Sequence, residues 1–456
     1  MRIKQEKIAI IAFIIILFIV VCAPYLWRVA LGNTSIAGQQ YYIAKGMANE
    51  VSKNGMTTFS EYPFSLYILI IGYFDQKQSM LFFMALGIAA SALLYLFVRT
   101  HKFRPTHSIF IATAWVISYS FASLVYTDGI TLFVCVLLLI ALLLIRHKKL
   151  ILAGIFLLLI AATSPVLLFA SVMIVLMYAS WHMKSARKIV MMCIAPVAVA
   201  LMSWLIGGQF TRTIMLTIPQ TQFFQELGSI GGIPLVVFCL GLGGGLSFWN
   251  KKYKYAYILF TIMLVATIFI PSWLPFVAVI LTIISAASFL FLANKVWHSQ
   301  LVYRAFIISF LAGLAMASIF GLQSISNEPP TYVEQDSLFE LAKLAPGITL
   351  SHANYGSLIS VLGKHESFID ELDGPIVGES ADDIFRSIRL TNVTDLLSEN
   401  EIRYIYITQE MRSGLVWNHT DQELLFLLRN NVTFSKVYSD DFAEIYSVNV
   451  SYEQLS

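Results

Sequence analysis

Charged side chains are scarce in this chain. Only 12% of its 456 residues are Asp, Glu, Lys or Arg, about half the share found in soluble domains. That excludes an ordinary soluble protein, which needs polar side chains over its whole surface. Acids are scarcest where the apolar runs are densest: Asp128 is the lone carboxylate between residues 76 and 225. The spans also lack ionisable residues near their centres, which ranks a transporter or channel low, because coupling ions and substrates bind there. The four cysteines, Cys22, Cys135, Cys193 and Cys239, each sit alone in an apolar run. With no paired spacing they read as packing residues, neither disulfides nor metal ligands. Gly-x-Gly-x-x-Gly, internal repeats, low-complexity segments and nucleic-acid-binding patches are all missing, so neither nucleotide nor nucleic acid is expected.

What is there is hydrophobic: 58% of the chain. Eleven apolar runs precede residue 323, at 8–29, 79–98, 108–125, 130–145, 150–163, 165–181, 189–206, 231–248, 256–270, 276–293 and 305–322. They imply a polytopic α-helical membrane domain of about eleven spans. The first run has no small-residue cleavage site, which makes it an anchor and not a removed signal peptide. The run 64–74 is too short to span and reads as a re-entrant or interfacial piece. The Gly241-Leu-Gly-Gly-Gly stretch reads as close helix packing.

Lys and Arg orient the spans. With the N-terminus inside, the inner segments carry 17 of them and the outer loops among the spans only 5, namely Arg28, Lys45, Lys53, Lys77 and Arg212. This follows the positive-inside rule. An odd number of spans then places residues 323–456 outside. Five of the thirteen asparagines begin an Asn-x-Ser/Thr triplet, Asn33, Asn392, Asn418, Asn431 and Asn449, where chance gives about one or two. All five fall on segments assigned to the outer side, as candidate N-glycosylation sites.

The tail is more charged and alternates helical with strand patterns. Strands are expected at 347–351, 367–369, 402–408, 433–437 and 444–448, with helices between them, as a small α/β domain with a mostly parallel core. The expected division is 1–322, a membrane domain with an outer loop at 31–63, and 323–456, an extracytoplasmic domain.

Candidate chemistry collects on the outer side. The loop from Asn33 to Pro63 opens with an amphipathic helical pattern, runs into Asn54-Gly55 and ends at Glu61-Tyr62-Pro63. Such a helix forms either the floor of a site at the bilayer surface or a plain connection. Asp128 lies in a tight outer turn, Tyr126-Thr127-Asp128-Gly129, where it serves as a turn aspartate or as a base. Glu61 is a second candidate base, and Glu226 also maps outside. Arg212 and Arg28 either hold a lipid phosphate or snorkel to the headgroups.

Three motifs carry a resemblance. Gln39-Gln40-Tyr41-Tyr42 precedes a helix and Tyr62-Pro63, Thr217-Ile218-Pro219-Gln220 lies in the loop 207–230, and His352-Ala353-Asn354-Tyr355-Gly356 opens the tail, with Phe368-Ile369-Asp370 after it. In this layout the chain resembles the C-type (GT-C) polytopic glycosyltransferases, and most of all a degenerate relative of the archaeal and eukaryotic oligosaccharyltransferase catalytic subunit. The resemblance implies a polyprenyl-phosphate-linked sugar donor used on the extracytoplasmic face, with a glycan, lipid or protein as acceptor. It places Gln39, Tyr41, Gln220, Asn354 and Tyr355 beside substrate. It also implies a divalent metal, Mn or Mg. Here, however, the three expected acids are Gln39, Gln220 and Asn354, and amides are poor ligands for hard cations and no general bases.

The expectation is therefore a multi-pass integral membrane protein of the cell membrane, N-terminus cytoplasmic, working as a glycosyltransferase for hexosyl or oligosaccharyl transfer. Its base would be Asp128 or Glu61. The rival is a non-catalytic relative that binds lipid-linked sugar or serves as an assembly subunit.

Overall fold

The computed structural model describes residues 2–54, 66–101, 103–182, 187–207, 233–247, 254–294, 299–326, 328–370, 375–419 and 423–449. Glu61, Tyr62, Pro63, Arg212, Gln220 and Glu226, with the 207–230 loop motif, lie outside the described residues. The chain divides into two compact units, one of residues 1–30 and 50–327, the other of residues 31–49 and 328–456.

The first unit is helical. Every apolar run of the sequence coincides with helix, from Arg2–Ala30 to Gln300–Ser326. Among the described residues four helices are long and apolar enough to cross a membrane: Glu6–Ala30, Gln76–Thr100, Gly129–Arg146 and Leu274–Ala293. A fifth crossing arises if the bent pair Pro105–Ile117 and Ser120–Tyr126 is one span. Five further apolar helices are shorter, at 10–17 residues. Among the described residues the expected count of eleven crossings is thus not confirmed. The run 108–125 in particular is broken by a 60° bend. At the break Ser118 is extended (φ −65°, ψ 142°) and turns its hydroxyl back to Trp115 O at 2.6 Å. Nothing in a run of Ile, Ala, Ser and Phe announces such a break, because serine is tolerated inside helices. The short run at 64–74 is indeed a short helix, Leu66–Tyr73.

Local chemistry sets the helix ends. Asp75 starts Gln76–Thr100 with a capping box: its carboxylate accepts from Gln78 N at 2.6 Å, and Gln78 Oε1 accepts from Asp75 N at 3.1 Å. Gly129–Arg146 is the most enclosed of the long helices, whereas Ile8, Phe18 and Trp27 on the first helix stay exposed, as lipid-facing residues do. The glycines at 241 and 244 let Leu235–Ser247 press onto Leu274–Ala293. A Cβ on Gly241 would come within 2.7 Å of Leu281 Cδ2, and one on Gly244 would strike Ser288. Cys135 and Cys193 are buried as packing residues, while Cys239 is exposed, unlike the expectation.

The second unit is a five-stranded sheet with helices. Its strands are β1 Ile348–Leu350, β2 Glu366–Ser367, β3 Ile402–Thr408, β4 Phe434–Ser439 and β5 Ala443–Val448. The spatial order is β2-β1-β3-β5-β4. β1 pairs in parallel with β2 and β3, and β5 runs antiparallel to β3 and β4. The sheet is therefore mixed, where the sequence suggested a mostly parallel one: the loop 440–442 turns β4 directly back into β5, and a short turn enforces antiparallel pairing. β3 is the core strand, buried at six of its seven positions, with Tyr406 OH 2.7 Å from Ser337 Oγ.

Residues 31–49 cluster with this unit, although the sequence grouped them with the spans. Asn33 gives Nδ2 to Pro330 O at 2.7 Å, and Gly38 N donates to Pro329 O at 2.8 Å. Thr34 and Gln335 exchange two hydrogen bonds of 3.2 Å. Gly32, at φ +84°, lies against the Tyr332 ring, 3.0 Å from where a Cβ would sit. After this stitching the chain enters the helix Gln39–Asn54.

Candidate active site

Sequence-predicted site residues among the described ones fall in two clusters, one in each unit. In the helical unit the cluster lies at the turn between helices Tyr119–Tyr126 and Gly129–Arg146. Asp128 caps the second helix, with Oδ1 accepting from Thr131 N at 3.0 Å. A carboxylate is favoured there by the helix dipole. Burial nonetheless pushes its carboxyl above the ordinary range, against the pull of the hydrogen bonds from Thr131. Gly129 must be small, since a Cβ would lie 2.5 Å from the Tyr67 hydroxyl and 2.6 Å from the Phe83 ring. Tyr67, which sequence reasoning passed over, therefore stands beside the turn. The Tyr126 hydroxyl donates to Val21 O on the first helix, and Arg28 follows about 10 Å further along that helix. The sequence places Arg28 at the headgroups. The structure buries it to 1% exposure, with Nη1 donating to Ile325 O at 3.2 Å.

In the sheet unit the cluster lies where parallel strands β1 and β3 end. Ligands of open α/β sheets bind outside such carboxyl ends. After β1 comes the turn His352-Ala353-Asn354-Tyr355, tightened by Asn354 N donating to His352 Nδ1 at 3.2 Å. After β3 come Gln409 and Glu410, both exposed. The Tyr355 hydroxyl donates to Glu410 Oε2 at 2.9 Å, and Gln39 Nε2 donates to Asn354 O at 2.7 Å. The fold thus joins Gln39, Asn354 and Tyr355 through these bonds and adds Glu410, an acid the sequence did not single out. The available signal was its place, immediately after the most apolar strand of the tail. Burial raises the Tyr355 hydroxyl, and Glu410 beside it adds to the effect. Burial lowers His352, opposed by the nearby carboxylates of Asp382 and Glu410. Gly356 closes the turn against the chain opposite: a Cβ would strike Ile369 O and come 2.5 Å from Asp370 Cα.

Other expected residues fall elsewhere. Tyr41 is 4% exposed and packs edge-on to Tyr42 at 5.0 Å, so it is a core residue of its unit. Asn33 is 3% exposed and its Nδ2 is held by Pro330 O. Asn392, Asn418, Asn431 and Asn449 are exposed. Gln39 and Asn354 offer amides, and among the described residues no group of three His, Cys, Asp or Glu is placed to hold a metal ion.

Scans against known protein families and against curated proteins return no match. Solved structures do match. The oligosaccharyltransferase of Archaeoglobus fulgidus in the apo form is similar at a TM-score of 0.63 and 12% identity, over 98% of this chain and 75% of that one. The same organism's AglB, in complex with an inhibitory peptide and a dolichol-phosphate, is similar at 0.60 and 12%, with the same coverages. Arabinofuranosyltransferase AftD from mycobacteria is similar at 0.51 and 15%, over 82% of this chain but 34% of that one. The likeness is one of fold: a helical part and a small C-terminal sheet.

Proposed function

We propose that this protein is a membrane glycosyltransferase that takes a sugar from a polyprenyl-phosphate carrier on the extracytoplasmic face and passes it to a hydroxyl acceptor. The observation that carries this is the fold, matched over 98% of the chain by a transferase crystallised elsewhere. Fold alone does not fix function. Further support comes from Gln39 and Asn354, remote in sequence and both expected beside the acceptor, which meet through a 2.7 Å hydrogen bond. Asp128 is the proposed base. It takes the acceptor's proton as the acceptor oxygen bonds to the anomeric carbon, and the bond from that carbon to the carrier phosphate breaks with its electron pair leaving on phosphate. Arg212 would hold that phosphate, Glu61 is the alternative base, and Gln220 joins Gln39, Asn354 and Tyr355 on the acceptor side. No step runs through a metal.

A non-catalytic lipid-sugar binder is favoured by one specific observation: the Asp128 carboxylate already caps a helix. The two readings separate in one assay. The protein in lipid is offered polyprenyl-phosphate monosaccharides and polyprenyl-diphosphate glycans, with Mn²⁺, Mg²⁺ or EDTA, and transfer is followed by mass spectrometry. Turnover that survives EDTA and disappears in Asp128→Asn is expected. Carrier binding without turnover across the set means a binder, and turnover abolished by EDTA overturns the metal-free mechanism.

A further inference from the structure

The sheet unit holds a second polar site. A cavity of 460 Å³ opens on the face of β4 and β5, within the range of pockets that take small molecules. Its floor is built by the strands. Lys436 lies opposite Tyr446 in the β4–β5 register, and Glu444 lies two residues before Tyr446 on the same face. Arg412 enters from the turn after β3, and Arg429 and Asn431 from the loop that follows helix Glu423–Leu427.

These lining residues carry three cationic groups and one carboxylate. Glu444 is the hub: it accepts from Lys436 Nζ at 2.8 Å, from the Arg412 guanidinium and from the Tyr446 hydroxyl. It fixes the two cations in place but offsets only one of the three charges, and each cation keeps further N–H donors. Arg429 and Lys436 are exposed to solvent, so an incoming ligand reaches them. Asn431 offers both donors and an acceptor. Small hydroxyl-bearing molecules suit such a wall, and the surplus charge demands an anion among them.

We infer that this cavity is a binding site for an anionic saccharide, a sugar bearing one carboxylate or phosphate, separate from the Gln39–Asn354–Glu410 cluster. Arg412, Arg429 and Lys436 take the anionic group, and Asn431 takes hydroxyls.

The full-length protein in nanodiscs, made in a host that adds no glycans, is titrated with glucuronate, glucose 6-phosphate, glucose and inorganic phosphate. Binding is read by calorimetry without any lipid donor, so a failed transferase assay leaves the result interpretable. Glucuronate and glucose 6-phosphate mark the two sources of the anion. At least one is expected to bind about tenfold or more tightly than glucose and than phosphate. Arg429→Gln and Lys436→Gln, both at exposed positions, are each expected to weaken it about fivefold. Asp128→Asn leaves it unchanged. Glucose binding as tightly as glucuronate, phosphate binding as tightly as the sugar phosphate, an unaltered Arg429→Gln, or no saccharide binding at all would each overturn the assignment.

Discussion

At the scale of single residues, the helix cap made by Asp128 and its proposed role as a base can be separated. Asparagine caps helices about as well as aspartate but cannot take a proton. Asp128→Asn is therefore expected to keep the wild-type melting temperature and to lose transfer about 100- to 10,000-fold. Asp128→Ala loses the cap as well, at about 1 kcal/mol. As a base, Asp128 acts only when deprotonated, and burial raises its carboxyl. The acid limb of the pH profile of kcat/KM is thus expected above the ordinary aspartate value of about 3.9, and a limb at or below it removes Asp128 from the role. Glu444 behaves in the opposite sense. Burial alone would raise it, but bonds from Lys436, Tyr446 and Arg412 win and hold it at about 2. Its folded value is depressed, so its stabilisation is complete above about pH 4.5 and lost as pH falls towards 2. Glu444→Gln is expected to speed hydrogen exchange in peptides covering β4 and β5 at pH 7, by an opening free energy of about 2 kcal/mol. Near pH 2 the difference from wild type should vanish.

At the scale of elements, the backbone approach at Gly356 is unforgiving. The atoms a Cβ would meet belong to the main chain at Ile369 and Asp370, which cannot rotate away as a side chain does. Gly356→Ala is expected to destabilise the turn by about 2–3 kcal/mol and to weaken acceptor binding through displaced Asn354 and Tyr355. Hydrogen exchange over 352–370 and acceptor titration check the two effects. The elements themselves were largely legible. Each apolar run became helix, and Ile402–Thr408 is a strand from end to end, because hydrophobic length and period survive in a single sequence. What stayed hidden depends on partners distant in the chain. The 60° bend at Ser118 has no proline or glycine to mark it. Tyr41 reads as a site aromatic until the helix 39–54 shows which side is buried. Glu410 reads as one more acid of a charged tail until β1 and β3 are known to be parallel neighbours.

At the scale of the molecule, two units mean two separate questions. The charge pattern of the loops predicts that the sheet unit lies outside the cytoplasm, and that proposal has a direct test. In a background without the native cysteines, a cysteine at exposed Ile388 is expected to react with a membrane-impermeant maleimide on intact cells. One at Lys148, in a loop predicted to face the cytoplasm, should react only after lysis. The reverse pattern would invert the topology and move the proposed chemistry to the cytoplasm. The candidate site was less legible than the fold for a physical reason: it is assembled from positions some 300 residues apart, such as Gln39 and Asn354, and only a shared unit makes them neighbours.

The last helix of the first unit, Gln300–Ser326, has a consequence for how the chain is made. Ser318 donates its hydroxyl to Ile117 O, the carbonyl left over at the bend, and Ile325 supplies a carbonyl to buried Arg28. Both earlier groups leave the ribosome some 200 to 300 residues before their partner. Until then the early helices hold polar groups that this partner has yet to meet, in surroundings where such groups are costly. A nascent chain halted before residue 300 should therefore remain with the insertion machinery, and only completion of the final helix should release it into lipid as a settled bundle.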